Sequence, residues 1–421
     1  MKHKISTYLI LIGCLIVAVS CKSNTKLNID EQSNTVLDTT TLKLSIQTGA
    51  ENITSYLPLL KNKKVGIVTN QTGFVRKIKI NATAVPQNTT SELTKESLVD
   101  FLLEKNINLQ KIYAPEHGFR GTADAGELIK DGKDTKTGLP IISLYGDNKK
   151  PKPEQLIGID MMVFDLQDVG ARFYTYISSL HYVMEACAEN NIPLIVLDRP
   201  NPNGGIVDGP ILEKEFTSFV GMHPIPVLHG MTIGEYAKMI NGEKWLKDGI
   251  QCNLTVVPNM NYTHEMAYSL PVKPSPNLPN DQSINLYASL CFFEGTNVSV
   301  GRGTEKQFQI YGSPFLTKST FSFTPKPNLG AKDPVHNGKL CYGEDLSNIA
   351  KVNRLELKWL IKAYNSTADK KAFFNSFFVK LAGTKKLQEQ IEKGLSENEI
   401  RKSWEKGLDE FNLVRGKYLI Y

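Results

Sequence analysis

From residue 64 onward, short apolar runs alternate with longer stretches of helical apolar spacing. Lys64–Asn70 (KVGIVTN), Ile107–Tyr113 (INLQKIY), Leu139–Tyr145 (LPIISLY), Asp160–Leu166 (DMMVFDL), Ile192–Leu197 (IPLIVL) and Cys252–Val257 read as strands. Between them, Glu92–Lys105, Tyr174–Asn190 and Thr232–Asn241 read as helices, with one or two further helical turns at Pro153–Ile159. Ser91 or Thr94 fits the cap of the first helix. Thr232 with Glu235 three residues on forms a capping-box pattern for the last. Mostly apolar strands separated by helices predict a parallel sheet covered on both faces. The expected fold is therefore α/β, a Rossmann-like doubly wound and mostly parallel sheet.

The clustered Pro and Asn of Pro258–Asn280 break this rhythm, and a domain boundary is placed near residue 265. Residues 46–265 form the predicted Rossmann-like domain, and residues 266–421 a smaller α/β (α+β) domain. The second domain opens on the Gly-rich stretch Phe292–Gly312, whose Gly301–Thr304 reads as a turn rather than a phosphate cradle. A β-rich patch follows, then predicted helices over Val352–Tyr364 and Leu381–Leu395.

In such sheets ligands bind beyond the carboxyl ends of the strands, and the polar residues of this chain collect there. Asn70 ends the first strand, Glu116 and His117 follow the second, and Tyr145 ends the third. Gln167, Asp168 and Arg172 follow the fourth, and Asp198, Arg199 and Asn201 the fifth. Singly, each has an ordinary explanation: Asp198 and Arg199 fit an ion pair, and Asp168 fits a helix cap. Joint placement at one sheet edge points to a site, because connecting loops owe the fold no shared chemistry. The densest stretch is Tyr113–Glu127 (YAPEHGFRGTADAGE), which holds Glu116, His117, Arg120, Asp124 and Glu127 within fifteen residues. A G-x-G-x-x-G turn is missing after the first strand, where Thr69-Asn70-Gln71-Thr72-Gly73 stands, so a dinucleotide is not favoured and no cofactor is expected.

Composition changes the picture only at the N-terminus. The 421 residues are 22% charged and 41% hydrophobic with a net charge of +6, and no Lys/Arg block marks a nucleic-acid footprint. MKHK, the apolar YLILIGCLIVAV and the small residues Ala18-Val19-Ser20 before Cys21 read as a secretory signal. It resembles the lipobox of bacterial lipoproteins, which would make Cys21 the lipidated first residue and residues 1–21 the leader with its lipidated Cys. Residues 22–45 read as a flexible tether. No acidic cluster follows Cys21, and a periplasm-facing anchor in the cell envelope is expected. Cys187, Cys252, Cys291 and Cys341 are far apart and follow no metal-ligand spacing, so neither a disulfide nor a metal is expected.

Carboxyls facing one crevice with Arg and Tyr nearby suit acid–base cleavage of a glycosidic bond. One carboxyl must stay protonated to give its proton to the leaving oxygen, and burial among apolar side chains favours the neutral form. A G-x-S-x-G elbow and an H-E-x-x-H cluster are both missing, which disfavours serine and zinc hydrolysis. Seven motifs then carry a family resemblance. They are PEHGFRG with AGE (115–121, 125–127), LPIISLYG (139–146), FDLQDVGARFYTY (164–176), LDRPNPNGG (197–205), HGMTIGE (229–235), PSPNLP (274–279) and FEGTNVSVGRGT (293–304). In this order they resemble the bacterial exo-β-N-acetylmuramidase family, the NamZ type.

The resemblance implies a glycosidase that releases terminal β-1,4-linked N-acetylmuramic acid (MurNAc) from the non-reducing end of peptidoglycan fragments such as MurNAc-GlcNAc. It also implies a cleft between two domains. It assigns Glu116 as the catalytic acid, Glu127 or Asp168 as the second carboxyl, and His117 as a tuner of Glu116 or a binder of sugar hydroxyls. The lactyl carboxylate of the substrate calls for a planar cation, with Arg120, Arg172 and Arg302 the candidates. Tyr174 and Tyr176 are candidates to pack on the sugar face, and Asn277, Glu294 and Asn297 are the contribution of the second domain. The 2-acetamido group of the substrate offers an internal nucleophile as an alternative to a second carboxyl. Two other functions fit the same cleft: a lipid-anchored muropeptide-binding protein without turnover, and a cell-wall esterase or amidase.

Overall fold

The computed structural model describes residues 45–81, 90–119 and 131–421. Its strands, in chain order, are β1 (Lys64–Thr69), β2 (Phe74–Asn81), β3 (Thr90–Ser97), β4 (Asn108–Ala114), β5 (Gly132–Lys133), β6 (Pro140–Ser143), β7 (Met161–Asp165), β8 (Leu194–Leu197), β9 (Val207–Asp208), β10 (Leu228–His229), β11 (Leu254–Val257), β12 (Ile310–Ser313), β13 (Phe321–Phe323) and β14 (Cys341–Asp345). Seven of them form the central sheet in the order β11-β8-β7-β1-β4-β6-β5. All neighbours in it are parallel except β5 against β6.

Five of the six residues of β1 and all four of β8 are buried, as strands covered on both faces must be. Gly66 sits at the centre, where a Cβ would stand 2.9 Å from the Tyr113 ring and 3.0 Å from Met162 Sδ. The chain runs outward from β1 through β4 to β6, then returns to the other side of β1 for β7, β8 and β11. Strand order therefore reverses between β1 and β7, which is where a doubly wound sheet opens a crevice.

The smaller half carries the antiparallel sheet β12-β14-β13 and the helices Asp281–Leu290, Lys358–Ser366, Phe378–Ala382, Lys386–Glu392, Glu397–Lys402 and Glu405–Arg415. One apolar core runs through both halves and joins Phe164 and Leu180 to Phe292, Trp359 and Phe378. Phe173 meets Tyr287 and Phe292 edge to face, with ring centroids 5.3 and 5.9 Å apart. Residues 258–280 hold no helix or strand beyond an isolated bridge at Met260.

The structure corrects three of the expected helices. Glu92–Ser97 lies in β3, paired antiparallel with β2, and helix begins only at Leu98 with Ser97, not Ser91 or Thr94, before it. Residues 352–357 are not helical, and helix starts at Lys358. Leu381–Leu395 is two helices broken at Gly383 (φ +73°), where a Cβ would stand 2.8 Å from Arg172 Nη2. The capping box of Thr232 and Glu235 is present as read: the Thr232 hydroxyl accepts from the Glu235 amide, and the Glu235 carboxylate accepts from the Thr232 amide. Cys187, Cys252, Cys291 and Cys341 are buried free thiols.

Candidate active site

Strand β4 ends at Ala114, and Pro115 starts a tight turn closed by the Gly118 amide on the Pro115 carbonyl (3.0 Å). His117 (φ +72°) and Gly118 (φ +75°) are both left-handed, so a histidine holds a conformation that favours glycine. Strained residues of this kind cluster at functional sites, held by the structure around them. The turn places Glu116, half-buried, in a cavity of about 260 Å³. Its Oε1 accepts from the Tyr145 hydroxyl (3.1 Å), beyond β6, and its Oε2 from the Thr175 hydroxyl (3.1 Å), beyond β7. Burial, and then the Glu116 carboxylate beside it, push the Tyr145 phenol above its ordinary range, so it keeps its proton.

The wall continues with His117, Phe173, Tyr174 and Tyr176. Tyr174 and Tyr176 stand edge to face at 4.9 Å. The Tyr174 hydroxyl donates to the Pro274 carbonyl (2.9 Å), and Asn70 Nδ2 donates to the Tyr176 hydroxyl (2.6 Å). Ser275 and Asn277 in the stretch before Asp281, with Tyr287, Glu294, Arg302 and Phe308 from the smaller half, close the cavity. Arg302 Nε donates to Glu294 Oε1 (2.7 Å), and the guanidinium lies 5.1 Å from the centre of the Phe308 ring. Burial works against the Arg302 charge, but the Glu294 carboxylate more than offsets it and holds the pKa above its ordinary value.

Of the residues read from the sequence, Glu116, His117, Tyr145, Tyr174, Tyr176, Asn277, Glu294 and Arg302 share this cavity. Asn70 stands behind it as the support of Tyr176. Arg120, Asp124 and Glu127 lie outside the described residues. Asp168 does not line the cavity. It is buried, accepts from the Gly170 amide (2.7 Å) and stands 3.5 Å from His229 Nε2. Asn297 is also elsewhere, with its Nδ2 on the Ala372 carbonyl (3.0 Å).

Three other residues are structural. Arg172 is fully buried: its Nη1 donates to the carbonyls of Pro210 (2.8 Å) and Ile225 (2.7 Å), and its Nη2 to those of Leu381 (2.9 Å) and Ala382 (2.8 Å). A cation tied to four carbonyls is not available to grip a substrate carboxylate, so the expected clamp role does not fit Arg172. Arg199 is taken up by Asp165, through Nε (2.6 Å) and Nη2 (2.9 Å). Asp198 accepts from the Gly234 and Arg199 amides and from the Thr232 and Tyr421 hydroxyls, and burial pushes its carboxyl up to about 6. Sequence reasoning missed Thr175 as a partner of Glu116, although it stands between the two tyrosines that were singled out. Tyr287 and Phe308 carried no local signal.

The cavity, with a hydroxyl-held carboxyl on one wall and an arginine on the other, draws on both halves of the chain, and each half matches a family of known proteins. The N-terminal family model of Exo-beta-N-acetylmuramidase NamZ matches residues 65–282, and the C-terminal model matches residues 285–421. The chain belongs to the NamZ exo-β-N-acetylmuramidase family. The family resemblance read from the sequence is thereby shown. A NamZ relative, Peptidoglycan beta-N-acetylmuramidase NamZ of Bacillus subtilis (strain 168), is 40% identical over 413 residues, 91% of this chain and 93% of that one. Two solved structures of DUF1343 family proteins from Bacteroides fragilis NCTC 9343 share the NamZ fold seen here. One is 43% identical with a TM-score of 0.78, the other 30% identical with a TM-score of 0.70, and each alignment covers 90% of this chain and 99% of the other.

Proposed function

We infer that this chain is a glycosidase that releases terminal N-acetylmuramic acid from the non-reducing end of peptidoglycan fragments, with Glu116 as the proton donor. The observation that carries this is the placement of Glu116, held by two hydroxyls, in one small cavity with Arg302. At about 260 Å³ the cavity lies near the lower end of ligand pockets, which start at roughly 300 Å³. That suits a single terminal sugar rather than a length of chain. Glu116 gives its proton to the glycosidic oxygen as the bond to C1 breaks; the hydroxyl of the water consumed ends up bonded to C1, and the remaining proton of that water returns to Glu116. Incubation with the MurNAc–GlcNAc disaccharide tests the reading. Free MurNAc and GlcNAc in equal amounts support it; binding without product points to a muropeptide-binding protein instead.

Arg302 is the cation proposed to grip the lactyl carboxylate. Glu294 takes its Nε and Phe308 backs its plane, which leaves the Nη groups for a bidentate contact. Arg302→Lys is expected to weaken binding of a muramyl glycoside roughly ten- to a hundredfold, the scale of one charged hydrogen-bonding contact. A lactyl-free N-acetylglucosaminide should be affected far less. Equal losses on the two substrates would remove the clamp from Arg302.

Envelope attachment is proposed from sequence alone, since residues 1–44 lie outside the described residues. Among the described residues no helix is long and apolar enough to cross a membrane. Cys21, lipidated after removal of the leader, would hold the enzyme at the periplasmic face of an envelope membrane, close to its polymer. Cys21→Ala should move the protein from the membrane fraction to the soluble one. Retention of the variant in membranes would argue for a spanning segment instead.

A further inference from the structure

We propose that Phe219, at the tip of a tight turn, is a specificity residue that receives the leaving sugar, the N-acetylglucosamine ring beyond the bond that breaks; this rests on the muramidase reading above. Phe219 and its neighbour Val220 line the cavity and are both half-buried, so part of their surface stays open to a ligand. They are the two central residues of a turn closed in both directions. The Ser218 amide donates to the Gly221 carbonyl (2.9 Å), and the Gly221 amide to the Ser218 carbonyl (3.0 Å). Turns are dominated by Gly, Pro, Asn, Asp and Ser. This tip carries two apolar side chains instead, and both of them line the cavity.

The elements that grip the Glu116 carboxyl also grip this turn. Thr175, on Oε2, precedes the helix Tyr176–Glu189, and three residues on Ser178 Oγ donates to the Phe219 carbonyl (2.6 Å). Tyr145 holds Oε1, and four residues on the Lys149 ammonium lies 4.8 Å from the centre of the Phe219 ring. Tyr182, on the same helix, lies nearly parallel to that ring, at 16° with centroids 6.2 Å apart. Just past the turn, His223 Nε2 stands 2.9 Å from His181 Nδ1. The ring is thus fixed on the Glu116 side of the cavity. A proton donor must reach the glycosidic oxygen, so the departing sugar lies on that side too. The cavity has room for one ring, and the second must rest against what borders the acid. A β-linked glucosamine ring holds its substituents equatorial and presents axial C–H groups on its faces. Phe219 and Val220 offer the apolar surface that such a face buries. Phe219 touches the leaving sugar without taking part in proton transfer.

The test compares two ligands by calorimetry on a Glu116→Gln background, where turnover does not interfere. MurNAc fills the cavity alone, and MurNAc–GlcNAc adds the ring that Phe219 should meet. With Phe219 in place the disaccharide should bind about tenfold more tightly than MurNAc, the worth of roughly 50 Å² of apolar surface removed from water. In Phe219→Ala that advantage should fall to about threefold or less, while MurNAc itself binds as before. Phe219→Tyr keeps the ring and should keep the advantage. Each variant is checked by thermal melting. Equal binding of the two ligands with Phe219 in place overturns the proposal whatever the variants do. So does an advantage that survives intact in Phe219→Ala, or a variant that loses both ligands alike, which would mark a structural role. Should Phe219→Ala not fold, loss of the advantage in Phe219→Tyr while MurNAc still binds overturns it as well. Failure of the protein with Phe219 in place to bind MurNAc at all would strike the muramidase reading, and this proposal with it.

Discussion

Glu116→Gln is expected to lower turnover of the MurNAc–GlcNAc disaccharide by about 10²–10⁴-fold, the usual worth of a general acid, with the melting temperature unchanged. Gln has the same length; its carbonyl oxygen can accept from one of the Tyr145 and Thr175 hydroxyls while its NH2 donates to the oxygen of the other, so the cavity wall stays in place. What it lacks is a transferable proton. The loss should appear in kcat, while KM moves little, because a group that acts on the leaving oxygen contributes in the transition state rather than in binding. Tyr145→Phe offers a milder companion: it removes one hydroxyl donor to Glu116 and should lower turnover without abolishing the reaction. A Glu116→Gln enzyme with near-normal turnover would require another donor.

Arg172→Met should destabilise the fold by about 4 kcal/mol or more, counting about 1 kcal/mol for each of four buried carbonyls left unpaired. For a chain of this size that corresponds to a fall of roughly 5–10 °C in melting temperature. Burial drags the Arg172 pKa down to about 9, which still leaves it charged at neutral pH. The charge is held by carbonyls from two places, Pro210 and Ile225 on one side and Leu381 and Ala382 on the other, so it joins the two halves that enclose the cavity. Arg172→Lys should recover only part of the loss, because an ammonium cannot reach all four acceptors as a planar fork does. A lysine variant of native stability with a selectively raised KM for muramyl substrates would restore Arg172 to substrate binding.

The parallel sheet was readable because its strands are buried on both faces, and Lys64–Thr69 or Leu194–Leu197 leave no other use for such apolar runs. Polar edges were less readable. Glu92–Ser97 has apolar residues too sparse to separate strand from helix, and its state is set by pairing with Phe74–Asn81, which lies outside any local window. Residues 352–357 fail as helix for a similar reason. The amides of Leu355, Glu356 and Leu357 are taken by the side chains of Asp208, Ser289 and Glu397, all distant in sequence. Gly383 breaks the next predicted helix where Arg172 passes close behind it.

The site was legible as a place. Glu116, Tyr145 and Tyr176 follow strand ends, and the topology brings those ends together. Which polar residue faces the crevice and which faces inward was not legible. Arg172, Asp198 and Arg199 follow strands just as Glu116 does, yet they turn into the protein and satisfy buried backbone and side-chain groups. Arg302 sits in a turn with no strand before it, and only the packing of the two halves brings it to the cavity.

A crystal structure of the Glu116→Gln variant soaked with the MurNAc–GlcNAc disaccharide tests the central assignment most directly. The MurNAc ring should occupy the cavity between the substituted side chain and Arg302. The glycosidic oxygen should lie within hydrogen-bond reach of the amide that replaces the Glu116 carboxyl, with the lactyl carboxylate on Arg302. A disaccharide bound elsewhere, such as the open groove between Phe321 and Trp359, with the Glu116 cavity empty, would contradict it.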